Sequence, residues 1–182
     1  AVGAPKGAGL GLDGSDGIDG VVDSLGFLSA YNLTGKAPVG EKVVVVGGGN
    51  AAVDAARTAL RLGAKSVTVA YRRTRSEMPA YAEEVEEAEK EGVRFEFLAA
   101  PLEIVQKKGK VSALKVRRME LGEFDRSGRR KPVAKAQNDF VLPADQLIAA
   151  IGQALAPEEI FDGVALKLND RQFIGVNPVN GQ

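Results

Sequence analysis

The hydrophobic pattern is sharpest just before the middle of the chain. Residues 43–46 are four consecutive valines, a run typical of a central parallel strand that is buried on both faces. Three glycines follow, and residues 51–62 are rich in alanine and leucine at helical spacing. Residues 67–71 form a second β-branched run. This order of strand, glycine turn, helix and strand predicts a βαβ unit.

The pattern changes in the second half of the chain. Pro79 is expected to open a second helix that ends before Gly92, and residues 93–98 form a third strand. No helical pattern separates the short apolar segments that follow, which indicates an antiparallel meander. The predicted fold class is α/β, a Rossmann-type three-layer fold with a central parallel sheet and an antiparallel β-meander. The meander strands are 102–105, 111–119 and 140–142, and a final buried strand is 147–151.

These patterns divide the chain into segments of different character. Residues 1–40 are glycine-rich and weakly patterned, apart from a short helix predicted at 21–31, and they are expected to form a surface connector. Residues 41–153 are expected to form the Rossmann domain with its meander. Residues 154–182 are punctuated by proline and asparagine and form a separate tail.

Composition excludes several kinds of function. The chain has 182 residues, and its 24 Lys and Arg balance 24 Asp and Glu, which argues against a nucleic-acid-binding module. No apolar run approaches the roughly 18 residues of a membrane span, and no signal-peptide pattern is present. We therefore expect a cytoplasmic protein with no membrane or nucleic-acid partner. The chain has no Cys and no His, so it offers no thiol nucleophile, iron–sulfur ligand or histidine base. Binding is expected to dominate over proton-transfer chemistry.

The glycine turn carries the strongest functional signal. It fits the pattern GxGxxA in the strand–turn–helix context that a dinucleotide-binding motif requires. Gly47 permits the tight turn, Gly49 lets the backbone approach a pyrophosphate, and Ala52 lets the helix pack closely on the strand. The helix N-terminus presents N–H groups and partial positive charge to that anion. A purely structural glycine turn is the alternative. The motif residues are Gly47, Gly48, Gly49, Asn50, Ala51 and Ala52.

The end of the second strand indicates which dinucleotide binds. An NAD-specific site places Asp or Glu there, about 20 residues beyond the motif, to hold the ribose 2′-hydroxyl. This chain has Arg72 and Arg73 instead, and the next acidic residue is Glu77. Guanidinium groups can hold a 2′-phosphate through paired hydrogen bonds, whereas a carboxylate would repel it. We therefore expect NADPH to be preferred. The alternative is that both arginines pair with glutamates of the following helix.

Two further groups of charged residues have structural interpretations. Asp54 and Arg57 are spaced i, i+3 on the motif helix and are expected to form an intrahelical ion pair. Arg126, Arg129 and neighbouring basic residues lie in a predicted turn of the meander, and they are expected to form a solvated loop.

Several segments of the chain together resemble a known family. Residues 43–80, 83–101 and 144–153 are similar to the NAD(P)H domain of the glutamate synthase small-chain family. That family includes NADPH:ferredoxin oxidoreductase subunits and the N-terminal half of dihydropyrimidine dehydrogenase. The resemblance depends on the combination of GGGN, YRR followed by EMPA, and AIGQ.

The resemblance implies a flavoprotein in which this domain is inserted into an FAD domain. Residues 1–40 would then connect from that absent FAD domain, and residues 154–182 would return toward it. Carried over by position, the motif residues contact the pyrophosphate, and Arg72 and Arg73 contact the 2′-phosphate. The segment near the nicotinamide half is Ala150, Ile151 and Gly152.

The implied activity is that of an NADPH-dependent flavoprotein oxidoreductase. NADPH would be positioned for hydride transfer to FAD, and electrons would pass on to an iron–sulfur or large catalytic subunit. The chain itself supplies no catalytic residue and no metal site in this interpretation, so we expect it to be inactive alone. The rival interpretation is a regulatory or sensing module that binds NAD(P) without turnover.

Overall fold

The computed structural model describes residues 6–12, 15, 17–125 and 128–154. Its helices are α1 (Ser24–Thr34), α2 (Asn50–Arg61) and α3 (Ala82–Glu91), with a 3-10 turn at Arg75–Glu77. Its strands are β1 (Lys6–Gly7), β2 (Val21–Asp23), β3 (Lys42–Gly47), β4 (Ser66–Tyr71), β5 (Arg94–Phe97), β6 (Ala99–Lys107), β7 (Lys110–Phe124), β8 (Arg130–Pro143), β9 (Gln146–Ala150) and β10 (Gln153–Ala154).

A parallel sheet of five strands, ordered β2-β9-β3-β4-β5, forms the centre of the fold. Every neighbouring pair in it runs parallel. The chain proceeds from β3 to β4 and β5 on one side, while β9 and β2 lie on the other. Such a reversal of strand order creates a crevice at the carboxyl ends of the strands, where open α/β sheets bind ligands.

The central strand β3 is buried on both faces, as its run of valines predicts. Val43 and Val45 belong to the core that contains α1, α2 and α3. Val44 and Val46 belong to a second core, on the opposite face of the sheet. None of these valines is more than 3% exposed. Both faces of the sheet are therefore covered, as a parallel sheet requires.

The predicted meander forms the third layer. Strands β6, β7 and β8 make a separate antiparallel sheet. Leu114 and Val116 of β7 are fully buried against the parallel sheet. The Leu98 N–H donates to the Arg73 carbonyl at 3.0 Å, and the Met119 N–H donates to the Leu98 carbonyl at 2.7 Å. These bonds join the end of β4 to the meander. The predicted α/β fold with its parallel sheet and meander is confirmed.

The segment before residue 40 differs from the predicted surface connector. Residues 21–31 do not form one helix, because Val21–Asp23 is a strand that pairs with β9. Helix α1 begins after Asp23, whose carboxylate accepts a hydrogen bond from the Gly26 N–H at 2.9 Å. Phe27 of α1 is 4% exposed in the core. This segment therefore adds an edge strand and a helix to the domain.

Helix α3 begins later than the sequence predicts. Pro79 does not open it, because the chain around Pro79 is held against the glycine turn. The Ala80 N–H donates to the Gly48 carbonyl at 3.1 Å, and the Tyr81 N–H donates to the Asn50 side chain at 3.0 Å. These contacts keep the segment extended, and the helix starts at Ala82.

The two ends of the chain are only partly described. The predicted tail at 154–182 lies outside the described residues, apart from residue 154. Residue 154 belongs to β10, which pairs antiparallel with β1. In the described part of the chain, no helix has the length and apolar character needed to cross a membrane. The cytoplasmic location stays a prediction.

Arg57 joins α2 to α3, which corrects the predicted pairing with Asp54. Its guanidinium donates to the Glu91 carboxylate at 2.9 and 2.6 Å and also contacts Glu84. The hydrogen bond from Arg57 holds the pKa of Glu91 below its ordinary value. The intrahelical spacing of Asp54 and Arg57 is thus overridden by carboxylates on the neighbouring helix.

Replacing Arg57 with Ala should lower the free energy of unfolding by about 1–2 kcal/mol at neutral pH, because Glu84 and Glu91 lose a partly buried partner. The folded-state pKa of Glu91 is lowered. Its stabilising contribution is therefore present above the pKa of unfolded glutamate and is lost as pH falls through the folded value. Urea unfolding of both proteins at about pH 7 and about pH 3 measures the difference.

The matched control removes an exposed ion pair. Lys65→Ala breaks the contact between Lys65 and Glu41, whose side chains are 71% and 62% exposed. It should change the free energy of unfolding much less than Arg57→Ala does, because water screens an exposed pair. An Arg57→Ala effect of equal size at both pH values would contradict the assigned role of Glu91.

Candidate functional site

A cleft of about 700 Å³ opens at the carboxyl ends of β3, β4 and β9. Its position is the crevice that the reversal of strand order creates. Three segments that are far apart in the sequence meet there: the glycine turn, the end of β4 and the end of β9. The predicted site residues that line the cleft are Gly47, Gly48, Gly49, Asn50, Ala51, Arg72, Arg73, Ala150, Ile151 and Gly152.

The first two glycines of the turn are required by close packing. A Cβ added to Gly47 would lie 2.2 Å from the Ala150 carbonyl oxygen, so β3 and β9 could not approach as they do. A Cβ on Gly48 would lie 2.3 Å from the Tyr71 ring. That ring is fixed by its hydroxyl, which donates to the Glu77 carbonyl at 2.7 Å. Tyr71 is a lining residue that the sequence analysis did not identify.

Gly49 is different, because its missing side chain leaves open space. The nearest atom to an added Cβ would be Pro79 Cγ, at 4.0 Å. Its φ of −92° is accessible to any residue. Neither packing nor backbone geometry therefore demands glycine here, and a side chain would occupy the cleft. Gly49 is also the N-cap of α2, and no side chain caps that helix. The N-terminus of α2 is thus available to an anion in the cleft.

Ala52 is the one predicted site residue that does not line the cleft. Its side chain is fully buried in the core between α2 and the sheet. Its N–H donates to the Gly49 carbonyl at 2.9 Å, within the first turn of the helix. The contact of Ala52 with the pyrophosphate stays a prediction. The other predicted role of Ala52, close packing of the helix on the strand, agrees with this burial.

The arginines after β4 have different partners. Arg72 is exposed at the cleft wall, and it makes no hydrogen bond or ion pair with the described residues. Arg73 is 5% exposed and pairs with Asp125 at 2.7 Å. Arg75 pairs with Glu89 of α3 at 3.0 and 2.8 Å. The alternative interpretation paired Arg72 and Arg73 with glutamates of the following helix. Among these three arginines, Arg75 is the one that makes such a pair.

Three arginines line one side of the cleft. Arg129 lines it together with Arg72 and Arg73, and none of the described lining residues is acidic. Arg129 is half-buried, so the basic turn of the meander is not simply a solvated loop. Arg126 of that turn lies outside the described residues. The local excess of basic residues is the one sequence feature that could have indicated a role for Arg129.

The other side of the cleft is neutral. Ala150 ends β9 there and is followed by Ile151, which is 47% exposed, and Gly152. The Gly152 carbonyl accepts a hydrogen bond from the Ala8 N–H at 3.0 Å. Because β3 lies between β9 and β4, the neutral side and the arginine side flank the glycine turn. This arrangement matches a molecule with a phosphate group in its middle and two chemically different ends.

The match to a family model identifies the kind of domain to which this site belongs. Residues 1–180 match the model described as pyridine nucleotide-disulphide oxidoreductase. The chain belongs to this family. Its members are oxidoreductases that bind FAD and NAD(P).

Curated relatives agree with this assignment. The chain is 46% identical over 173 residues to the NADP(+)-dependent formate dehydrogenase subunit beta of Moorella thermoacetica, covering 93% of the chain and 24% of that protein. It is 44% identical over 156 residues to the NADPH-Fe(3+) oxidoreductase subunit beta of Geobacter sulfurreducens (84% and 23%). It is 44% identical over 154 residues to the NADPH glutamate synthase small chain of Escherichia coli (78% and 32%). The resemblance to the glutamate synthase small-chain family is confirmed. The chain spans between 23% and 32% of the length of these relatives.

Solved structures share the fold at lower sequence identity. FprA, an oxidoreductase from Mycobacterium tuberculosis, superposes with a TM-score of 0.75 at 22% identity, covering 100% of this chain and 54% of that one. Thioredoxin reductase from T. acidophilum gives a TM-score of 0.63 at 22% identity, covering 97% and 52%. These similarities support the fold class alone.

Replacing Gly49 with Val should abolish binding of NADPH while leaving the fold intact, because the branched side chain fills the open space beside the N-terminus of α2. Calorimetric titration with NADPH measures binding, and thermal unfolding measures stability. Normal binding by Gly49→Val would show that the turn has only a structural role.

Gly47→Ala is the matched comparison within the same turn. Its Cβ strikes the Ala150 carbonyl rather than entering free space, so it should lower the free energy of unfolding by about 1–3 kcal/mol. A Gly47→Ala protein as stable as the parent would contradict the close approach of β3 and β9.

Proposed function

We propose that the chain binds NADPH across the carboxyl edge of its parallel sheet and holds the nicotinamide for hydride transfer to FAD. One observation carries the proposal: an open glycine cradle at the N-terminus of α2 lies between a wall lined by arginines and a neutral strand end. The three parts suit a pyrophosphate, a 2′-phosphate and a nicotinamide, respectively.

The pyrophosphate is proposed to lie over Gly49. Two features support this position: the space that a Cβ would fill and the uncapped helix N-terminus. Backbone N–H groups and the helix dipole attract an anion there without any side chain. Gly47 and Gly48 act indirectly, since they let the turn pack against β9 and Tyr71.

The preference for NADPH over NADH is proposed to come from the end of β4. An NAD site uses a carboxylate at this place to hold the 2′-hydroxyl. Here Arg72 offers a guanidinium without a competing partner among the described residues. Arg73 lines the same wall, with its guanidinium engaged by Asp125.

The end of β9 is proposed to support the nicotinamide half. Ala150, Ile151 and Gly152 present small and apolar surfaces with no charge. The chain has no Cys and no His, so its own residues bind and orient rather than transfer protons. When bound, NADPH supplies the hydride and FAD accepts it, which is chemistry that belongs to the cofactors.

The rest of the activity is proposed to reside in a longer protein. The matched region makes up 24%, 23% and 32% of these relatives, and two of them are named as subunits. We propose that the FAD domain belongs to the same, longer polypeptide and that electrons leave through an iron–sulfur or large catalytic subunit. The relatives are named for different reactions, so the shared element is the nucleotide module and not the final acceptor.

The chain should bind NADP(H) more tightly than NAD(H), by about 1–3 kcal/mol, because charge-assisted hydrogen bonds form only to the 2′-phosphate. Arg72→Ala should remove most of this preference. Calorimetry with NADP⁺ and NAD⁺ measures both effects. Arg75→Ala is the matched control, since Arg75 pairs with Glu89 outside the cleft and its loss should leave the preference unchanged. Equal affinities of the unmutated chain for the two nucleotides would contradict the proposal.

The chain alone should bind NADPH without oxidising it. Among the described residues, the single glycine-rich turn between a strand and a helix is the one at 47–52, so a second dinucleotide has no comparable cradle there. The purified chain should be colourless, and ferricyanide reduction with added free FAD should match a protein-free control. Co-purified flavin together with rapid NADPH oxidation would contradict this prediction.

A further inference from the structure

Arg73 is poorly suited to hold a phosphate, although it lines the cleft. Its side chain is 6% exposed, its Nη2 donates to the Asp125 carboxylate at 2.7 Å and its Nε donates to the Arg130 carbonyl at 2.7 Å. Its charge is therefore already neutralised by a partly buried carboxylate. A phosphate placed on this guanidinium would also meet the repulsion of that carboxylate.

The contacts of Arg73 instead fix the position of a hairpin. Asp125 follows the last residue of β7, and Arg130 is the first residue of β8. Both accept hydrogen bonds from Arg73. The register of β7 and β8 shifts between Leu121 and Phe124, and such irregularities bend a β-ribbon. Arg73 thus ties the far end of a long ribbon to the end of β4.

The Asp125 carboxylate contacts both Arg73 and the backbone of Arg129. Asp125 Oδ2 accepts from Arg73 at 2.7 Å, and its Oδ1 accepts from the Arg129 N–H at 3.2 Å. The Asp125 N–H donates to the Arg129 carbonyl at 2.7 Å, which closes the turn. These bonds hold the backbone of Arg129 beside the cleft, and Arg129 lines the same wall as Arg72.

We propose that Arg129, together with Arg72, holds the 2′-phosphate of the nucleotide, and that Arg73 and Asp125 are positioning residues. This inference rests on the proposed NADPH function and deepens it. It assigns the second cation of the phosphate site to the meander, which the conventional strand–helix motif does not contain. The ligand class is an adenosine that carries a 2′-phosphate monoester.

The test uses two small probes that differ in that phosphate, adenosine 2′,5′-bisphosphate and 5′-AMP. The parent chain should bind the bisphosphate more tightly than 5′-AMP. Arg129→Ala should weaken binding of the bisphosphate by about tenfold, because one charge-assisted contact is lost, and should leave binding of 5′-AMP unchanged. Lys131→Ala is the control, because Lys131 is an exposed cation of the same hairpin that does not line the cleft.

Asp125→Asn separates a positioning role from simple electrostatics. Removing a negative charge near the site would by itself strengthen phosphate binding. Loss of the Arg73–Asp125 contact should instead weaken binding of the bisphosphate, because the backbone of Arg129 is no longer held beside the cleft. In an Arg129→Ala background the same change should have no further weakening effect, which a double-mutant cycle measures.

The outcomes distinguish this inference from the proposed function. If the parent chain does not prefer the bisphosphate, the proposed NADPH function fails. If the parent prefers it but Arg129→Ala keeps the full preference, the assignment of Arg129 is overturned. If Asp125→Asn strengthens bisphosphate binding, the positioning role of Asp125 is overturned. Circular dichroism of each variant should match the parent, since Arg129 and Asp125 lie at the end of the hairpin.

Discussion

The fold and the candidate site both depend on the absence of side chains where β3 ends. At Gly47 a Cβ would strike the Ala150 carbonyl, and at Gly48 it would strike the Tyr71 ring. These contacts bring the ends of β9 and β4 against the turn from opposite sides. Any larger residue would separate the strand ends and displace α2. The cleft exists because the turn consists of backbone alone.

The distribution of charge around this turn follows from where each arginine finds a partner. Arg57 and Arg75 meet glutamates of α3 and join helical elements. Arg73 meets Asp125 and joins the meander to β4. Arg72 is left at the cleft wall without a partner among the described residues. Arginines that are adjacent in sequence thus act differently, since alternate positions near a strand end point to different layers.

The main elements could be predicted because their signals are local. Consecutive valines indicate a strand buried on both faces, and the glycine turn with the alanine-rich helix indicates the βαβ unit. The later start of α3 could not be predicted, because backbone bonds from Ala80 and Tyr81 to the glycine turn oppose the usual role of Pro79. The strand at Val21–Asp23 is too short to show a period, and pairing with β9 decides its conformation.

The site could be predicted only as far as its residues are close in sequence. Gly49 and Arg72 follow from the motif and its spacing. The pairing of Arg73 with Asp125 joins residues separated by 52 positions, and no local pattern indicates it. Arg129 belongs to a basic turn whose place at the cleft depends on that pairing and on the bend of the ribbon. Contacts between layers therefore could not be predicted from the sequence.

The central claim is that the cleft takes NADPH with its pyrophosphate on the glycine turn. A crystal structure of the chain with NADP⁺ tests this claim most directly. The account predicts the pyrophosphate at the N-terminus of α2 beside Gly49, the 2′-phosphate against Arg72 and the nicotinamide along Ala150 to Gly152. A dinucleotide bound in the reverse direction, or outside the cleft, would contradict it.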